Sequence, residues 1–273
     1  MSSVPAPRAA PIIPFVSRIY QPVERYAYTL IRVTAGAMFI PHGVQKLFFG
    51  GATSAMGYAI GTVELLAGLA VVLGILVRPM VALLIVNVLM IIVANIGKGW
   101  LWTRGGVQYH VFLLGMLLAV LIGGAGWHAL GSWLIQRVDA LLVPFGYAFA
   151  RIWFALLIVP SGYEKVFNDG AARIAAGNVL KTGFYPPLFW AWVVALLEFF
   201  GMLLLAAGLV TRPIAFMFSI QLAVIVLTIQ WANGYFWTSR GIEFPLALFL
   251  VCCAFVIGGG GRYSVDRKLG KEF

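Results

Sequence analysis

The chain has 273 residues, of which 62% are hydrophobic and only 10% charged. Soluble domains carry about 25% charged residues, so this composition excludes an ordinary water-soluble fold and indicates an integral membrane protein. The net charge of +10 lies in short segments between apolar runs, where it reads as a topology signal and gives no reason to expect nucleic acid.

Residues 1–25 contain Pro, Ser and Arg but no apolar core ahead of a small-residue cleavage site, so they do not read as a signal peptide. They are expected to form a cytoplasmic tail or, through "IIPFVSRIYQPVERY", an amphipathic segment on the membrane surface. Eight apolar segments follow, at 28–47, 57–77, 79–97, 107–125, 146–166, 188–210, 212–232 and 242–260. Each is close to the ~20 residues that cross ~30 Å of hydrocarbon. With both termini cytoplasmic, twelve Lys and Arg fall on the inner side and seven on the outer, the bias expected of that orientation.

The chain repeats itself. "RVTAGAMFIPHGVQKLF" (32–48) aligns with "RIWFALLIVPSGYEKVF" (151–167), "ELLAGLAVVLGILVRPM" (64–80) with "EFFGMLLLAAGLVTRPI" (198–214), and "GWLWTRGGVQY" (99–109) with "GYFWTSRGIEF" (234–244). The offsets are 119, 134 and 135, so the second copy carries an insertion, located at 168–187. Four helices per copy is an even number, which orients both copies alike. The expected fold is an all-α integral membrane protein of eight transmembrane helices, arranged as two tandem, like-oriented four-helix bundles. Its expected divisions are an N-terminal segment 1–25, a first unit 26–140, and a second unit 141–273 with a short basic tail.

Ionisable groups inside a span usually face a bundle interior or cavity. Glu64 and Glu198 hold equivalent places, on helix faces shared with small residues, where membrane helices pack closely. Lys46 and Lys165 end the preceding helices at the same outer level. Each Lys–Glu pair is a candidate for a structural lock or for chemistry, and each lysine alone could be an interfacial anchor. Loops returning to that face add Arg104, Gln108, Arg240 and Glu243, with His42 and His110 beside them. Asn87 and Asn95 match Gln221 and Gln230, as interhelical hydrogen bonders or as ligand contacts. Two histidines without acidic or thiol partners do not make a metal set. Adjacent Cys252 and Cys253 do not form a CxxC redox motif, and no nucleotide-binding loop is present.

A first helix ending H-G-x-x-K-L-F, a second opening E-L-x-x-G and ending at R-P, and the close "GGGGRYSVDRKLG" together resemble the DoxX family of small membrane proteins. The resemblance covers about residues 26 to 270, as two fused family-like units. It marks His42, Gly43, Lys46, Glu64, Arg78 and Pro79, then Gly162, Lys165, Glu198, Arg212 and Pro213. Ser161 stands where the first unit has its histidine.

The resemblance implies redox surroundings: some relatives are subunits of thiosulfate:quinone oxidoreductases, others membrane partners of soluble redox and sulfur-handling enzymes. On this basis the chain is expected in the inner or plasma membrane as a redox-associated or quinone-interacting subunit. The alternatives are a carrier for a small anion or thiol compound, and a non-catalytic structural or cargo-binding membrane partner. Quinone is the expected cofactor, with no metal or nucleotide. The expected partners are the bilayer, a soluble or membrane redox protein and a second copy of the chain. The catalytic candidates are His42, Lys46 and Glu64, with Arg104, Gln108, His110, Asn87 and Asn95 for binding. Lys165, Glu198, Gln221, Gln230, Arg240 and Glu243 are their counterparts in the second unit. Because only the first unit has the histidines, chemistry is expected there.

Overall fold

Apolar runs without strand-like alternation become helices almost throughout the computed structural model, which describes residues 10–12, 14–130 and 133–272. Residues 1–9 of the expected surface segment, including Arg8, lie outside the described residues. A two-residue strand β1 (Ala10–Pro11) leads into α1 (Pro14–Tyr20), which exposes Phe15 and Ile19. The first apolar segment does not form one helix. It divides into α2 (Ala27–Ala37) and α3 (Ile40–Phe48). Pro41 falls in the first turn of α3, where its missing N–H is tolerated.

The rest of the first repeat is α4 (Ala55–Leu73), α5 (Val77–Asn95) and α6 (Gln108–Gly123). The second begins in the long α7 (Trp133–Phe167), followed by α8 (Gly170–Ile174) within the insertion. Next come α9 (Pro187–Leu196) and α10 (Met202–Ala207), joined through a π-turn over Leu197–Gly201. α11 (Thr211–Val224), α12 (Glu243–Gly258), the short α13 (Val265–Lys268) and β2 (Lys271–Glu272) complete the chain. β2 pairs in parallel with β1, which brings the two tails together.

Among the described residues, five helices are long and apolar enough to cross a membrane: Ala55–Leu73, Val77–Lys98, Val138–Phe167, Pro187–Ala207 and Thr211–Asn233. α6 and α12 are apolar but have 16 residues each, about 24 Å at 1.5 Å per residue. Large apolar side chains such as Leu66, Val93, Phe216 and Leu227 point outward and stay exposed. Water would penalise such a surface, whereas hydrocarbon accepts it. The chain is therefore an all-α, multi-pass membrane protein.

The repeats meet in one core. α2 packs on α4 of its own repeat and on α12 of the other, while α7 packs on α10 and on α6. At the centre Phe154 of α7 lies 6.3 Å from Phe112 of α6 and 5.4 Å from Phe255 of α12, ring to ring. Each repeat thus contributes its fourth helix to the first helix of the other.

The ends of α4, α6 and α12 are fixed by arginines. Fully buried Arg32 donates to the carbonyls of Val71 (2.7 Å) and Val72 (3.1 Å) at the end of α4. Arg78 pairs with Asp139 at 2.6 Å, and Arg212 with Glu272 at 2.7 Å. Arg78 also donates to the Leu121 carbonyl and Arg212 to that of Ile257, so both complement the negative C-terminal ends of α6 and α12.

Candidate functional site

The H-G-x-x-K motif works through its glycine. A Cβ on Gly43 would lie 2.6 Å from the Leu65 nitrogen and 2.8 Å from the Gly61 carbonyl, and one on Gly162 would collide with the backbone of Glu198 and Phe199. The two glycines thus let the first helix of each repeat lie directly on the second. Lys46 and Lys165, three residues further on, then reach the intramembrane carboxylates.

Lys46 Nζ lies 2.5 Å from Glu64 Oε1 and 2.6 Å from Oε2, and Asn87 Nδ2 donates to Oε1 at 2.9 Å. In the second repeat Lys165 pairs with Glu198 Oε2, and Gln221 Nε2 donates to Oε1 at 2.6 Å. Both carboxylates are buried, with 2% and 6% exposure, so each depends on its lysine and amide for compensation. The expected Lys–Glu pairs are present, and Asn87 and Gln221 complete them. Asn95 and Gln230 do not join these triads. Asn95 bonds the Ile91 carbonyl and Lys98, and Gln230 accepts from Asn233.

A second polar cluster crosses between the repeats. Glu243 is fully buried; its Oε1 accepts from Tyr109 at 2.6 Å and lies 2.6 Å from His42 Nε2, and its Oε2 accepts from the Trp237 amide at 2.8 Å. The sequence aligns Glu243 with Gln108 as its second-repeat counterpart, and the structure joins it to His42 of the first repeat. The exchange of fourth helices is the cause, since it seats the start of α12 against α3. Tyr109, not expected as a site residue, follows from the same exchange. In the loop beside it, burial and then the Glu243 charge raise the Tyr235 phenol pKa. His110 is buried, stacks edge-on against Trp237 at 4.6 Å, and its Nδ1 has no hydrogen-bond partner. Ser161 and Gln108 occupy the places equivalent to His42 and Glu243, and both line one cavity. Arg104 and Arg240 are exposed in the loops that precede α6 and α12.

Two adjoining cavities meet at the second triad. The inner one, of about 250 Å³, is walled by Thr103 and Gln108 of the first repeat and by Ser161, Lys165, Glu198 and Gln221 of the second. The outer one, of about 470 Å³, shares Lys165, Glu198 and Gln221, but its other walls are mostly apolar. Gln221 Oε1 is buried there without a hydrogen-bond partner. The sequence places chemistry in the first repeat; both of these cavities are lined by the second triad, and the insertion contributes walls to the outer one. α8 and the following π-turn, Ala175–Val179, lie against α9, and Ile174, Asn178, Val179, Thr182 and Phe184 form one side of the outer cavity. The first repeat makes the same connection with the short 49–54 segment.

Fold and site together define an all-α membrane protein with two buried Lys–Glu–amide triads. The sequence pattern of the DoxX family matches residues 27–96 and 146–231, more than half of the chain, and the chain belongs to that family. A Haemophilus influenzae protein described as "Uncharacterized protein" is 31% identical over 132 residues, covering 47% of this chain and 94% of its own length. No solved structure matches significantly.

Replacing one member of a buried pair strands the other charge, which costs about 3–5 kcal/mol, whereas removing both together costs less. Lys46→Met is therefore expected to lower thermal stability in detergent more than the double change Lys46→Met/Glu64→Leu. Additive losses would mean that the pair is not energetically coupled.

Proposed function

We propose that this DoxX-family protein is a quinone-interacting, redox-associated subunit of the cell membrane, with the quinone head held at the second triad. The single observation carrying this reading is the outer cavity, apolar on most sides and also lined by Lys165, Glu198 and Gln221. Its 470 Å³ falls in the ligand-pocket range of about 300–1,000 Å³, and apolar walls with a few polar groups are the usual composition of such sites.

A quinone needs an apolar slot and hydrogen-bond partners at its oxygens. Lys165 can donate to a ring carbonyl, and the buried, partnerless Gln221 Oε1 can accept from a ring hydroxyl. A bound quinone supplies two-electron, two-proton redox chemistry. The protein's part is to orient the ring, exclude water with the apolar walls, and hold a proton acceptor, Glu198, against the lysine. Electrons come from a soluble or membrane redox partner.

All eight apolar segments cross the membrane in this reading, as two like-oriented four-helix units that exchange their fourth helices, with both termini cytoplasmic. Single cysteines at Thr103 and Thr238 are expected to react with an impermeant thiol reagent from the outer face. Labelling from opposite faces would contradict the like orientation.

The binding test is quinone titration of the protein in nanodiscs, followed by tryptophan fluorescence, since Trp190 lines the cavity. Wild type is expected to quench saturably. Gln221→Leu and Lys165→Met are each expected to weaken binding about tenfold, the equivalent of ~1.4 kcal/mol. Non-saturable quenching, or full affinity in both variants, would contradict the proposal.

A further inference from the structure

We infer that the second-repeat cavity is loaded sideways from the bilayer, through a mouth between α9 and α11, and that its ligand is a tail-bearing lipid. The inference rests on the quinone reading above and adds the route and the form of the ligand. The cavity wall has two unlike parts. Lys165, Glu198 and Gln221 converge on it, with Glu198 only 6% exposed. The apolar side chains Trp190 (38%), Met217 (48%) and Ile220 (50%) also line it and are exposed on the surface of the protein. These three belong to the helices of Pro187–Ala207 and Thr211–Asn233, both long and apolar enough to span. Side chains exposed there face hydrocarbon, so the opening between them leads into lipid.

The inserted segment covers the cavity. Ile174, Val179 and Phe184 line it from the 168–187 segment, and Trp190 Nε1 donates to the Tyr185 carbonyl at 3.4 Å, tying one edge of the mouth to the end of that segment. An apolar cover resists entry from water, whereas an apolar mouth between spanning helices admits a hydrocarbon chain without desolvation cost. A ligand entering this way has its polar head at the triad and its tail still in the bilayer. The first repeat makes this connection with only the 49–54 segment, so the proposed cover belongs to the second repeat.

The test compares a long isoprenoid-tailed quinone, incorporated in the nanodisc lipid, with a tail-less benzoquinone added from water. Fluorescence quenching gives the association rate and the affinity of each. Ile220→Trp fills the mouth, and Ile220→Phe serves if the larger ring prevents folding. Leu227→Trp, on the same helix but outside the cavity lining, adds an equivalent indole as the control. With Ile220→Trp, association of the tailed quinone is expected to slow by about tenfold, and by more than that of the tail-less quinone. Leu227→Trp should leave both unchanged. An unaltered rate for the tailed quinone in a folded Ile220 variant would overturn the lateral mouth and leave the head-group site standing. Failure of wild type to bind either quinone would overturn both.

Discussion

A carboxylate inside an apolar helix bundle must be compensated where it stands, and that requirement organises this protein. Glu64 and Glu198 each hold a lysine from the preceding helix and an amide from the following one. Three helices are thereby fixed at one level in each repeat. Burial of an ion pair is weak evidence for stability but strong against losing one partner. The glycine three residues before each lysine serves the same end, because only direct backbone contact lets the lysine reach. The motif is a geometric unit: glycine sets the distance, lysine supplies the charge, and the next helix presents the carboxylate.

Exchange of the fourth helices gives the repeat a different logic between its copies. His42 and Glu243 belong to different repeats yet lie 2.6 Å apart, and Ser161 and Gln108 hold the equivalent places. One seam is ionisable, and the other is neutral, with Ser161 and Gln108 lining one cavity. The asymmetry read from the lost histidine is real in the residues, but it distinguishes two shared seams. The insertion then adds a further difference by lining the outer cavity at the second triad.

Much of this was legible beforehand. The Lys46–Glu64 and Lys165–Glu198 pairs and the matching of Asn87 with Gln221 followed from internal alignment and helix geometry, because each concerns neighbours within one repeat. The helix exchange was not legible: alignment identifies equivalent residues but says nothing of which copy they pack against. Tyr109 was missed for that reason, and the pairing of Glu243 with His42 was not foreseen. The break between α2 and α3 was signalled by Pro41, although Pro160, its counterpart, lies inside an unbroken α7. Proline alone therefore did not decide the matter. The cavity-lining role of the insertion was hidden because its residues, among them Asn178 and Thr182, carry no motif and act only as walls.

The central claim is that the second triad, lined by the insertion, is where a quinone head binds. The most direct measurement is photolabelling of the protein in nanodiscs with a ring-substituted azidoquinone, followed by mass spectrometry of the modified peptides. The account predicts label in 174–184 and 217–225, suppressed by excess unlabelled quinone. Competable label around Lys46, Glu64 and Asn87, with none in the second repeat, would contradict it.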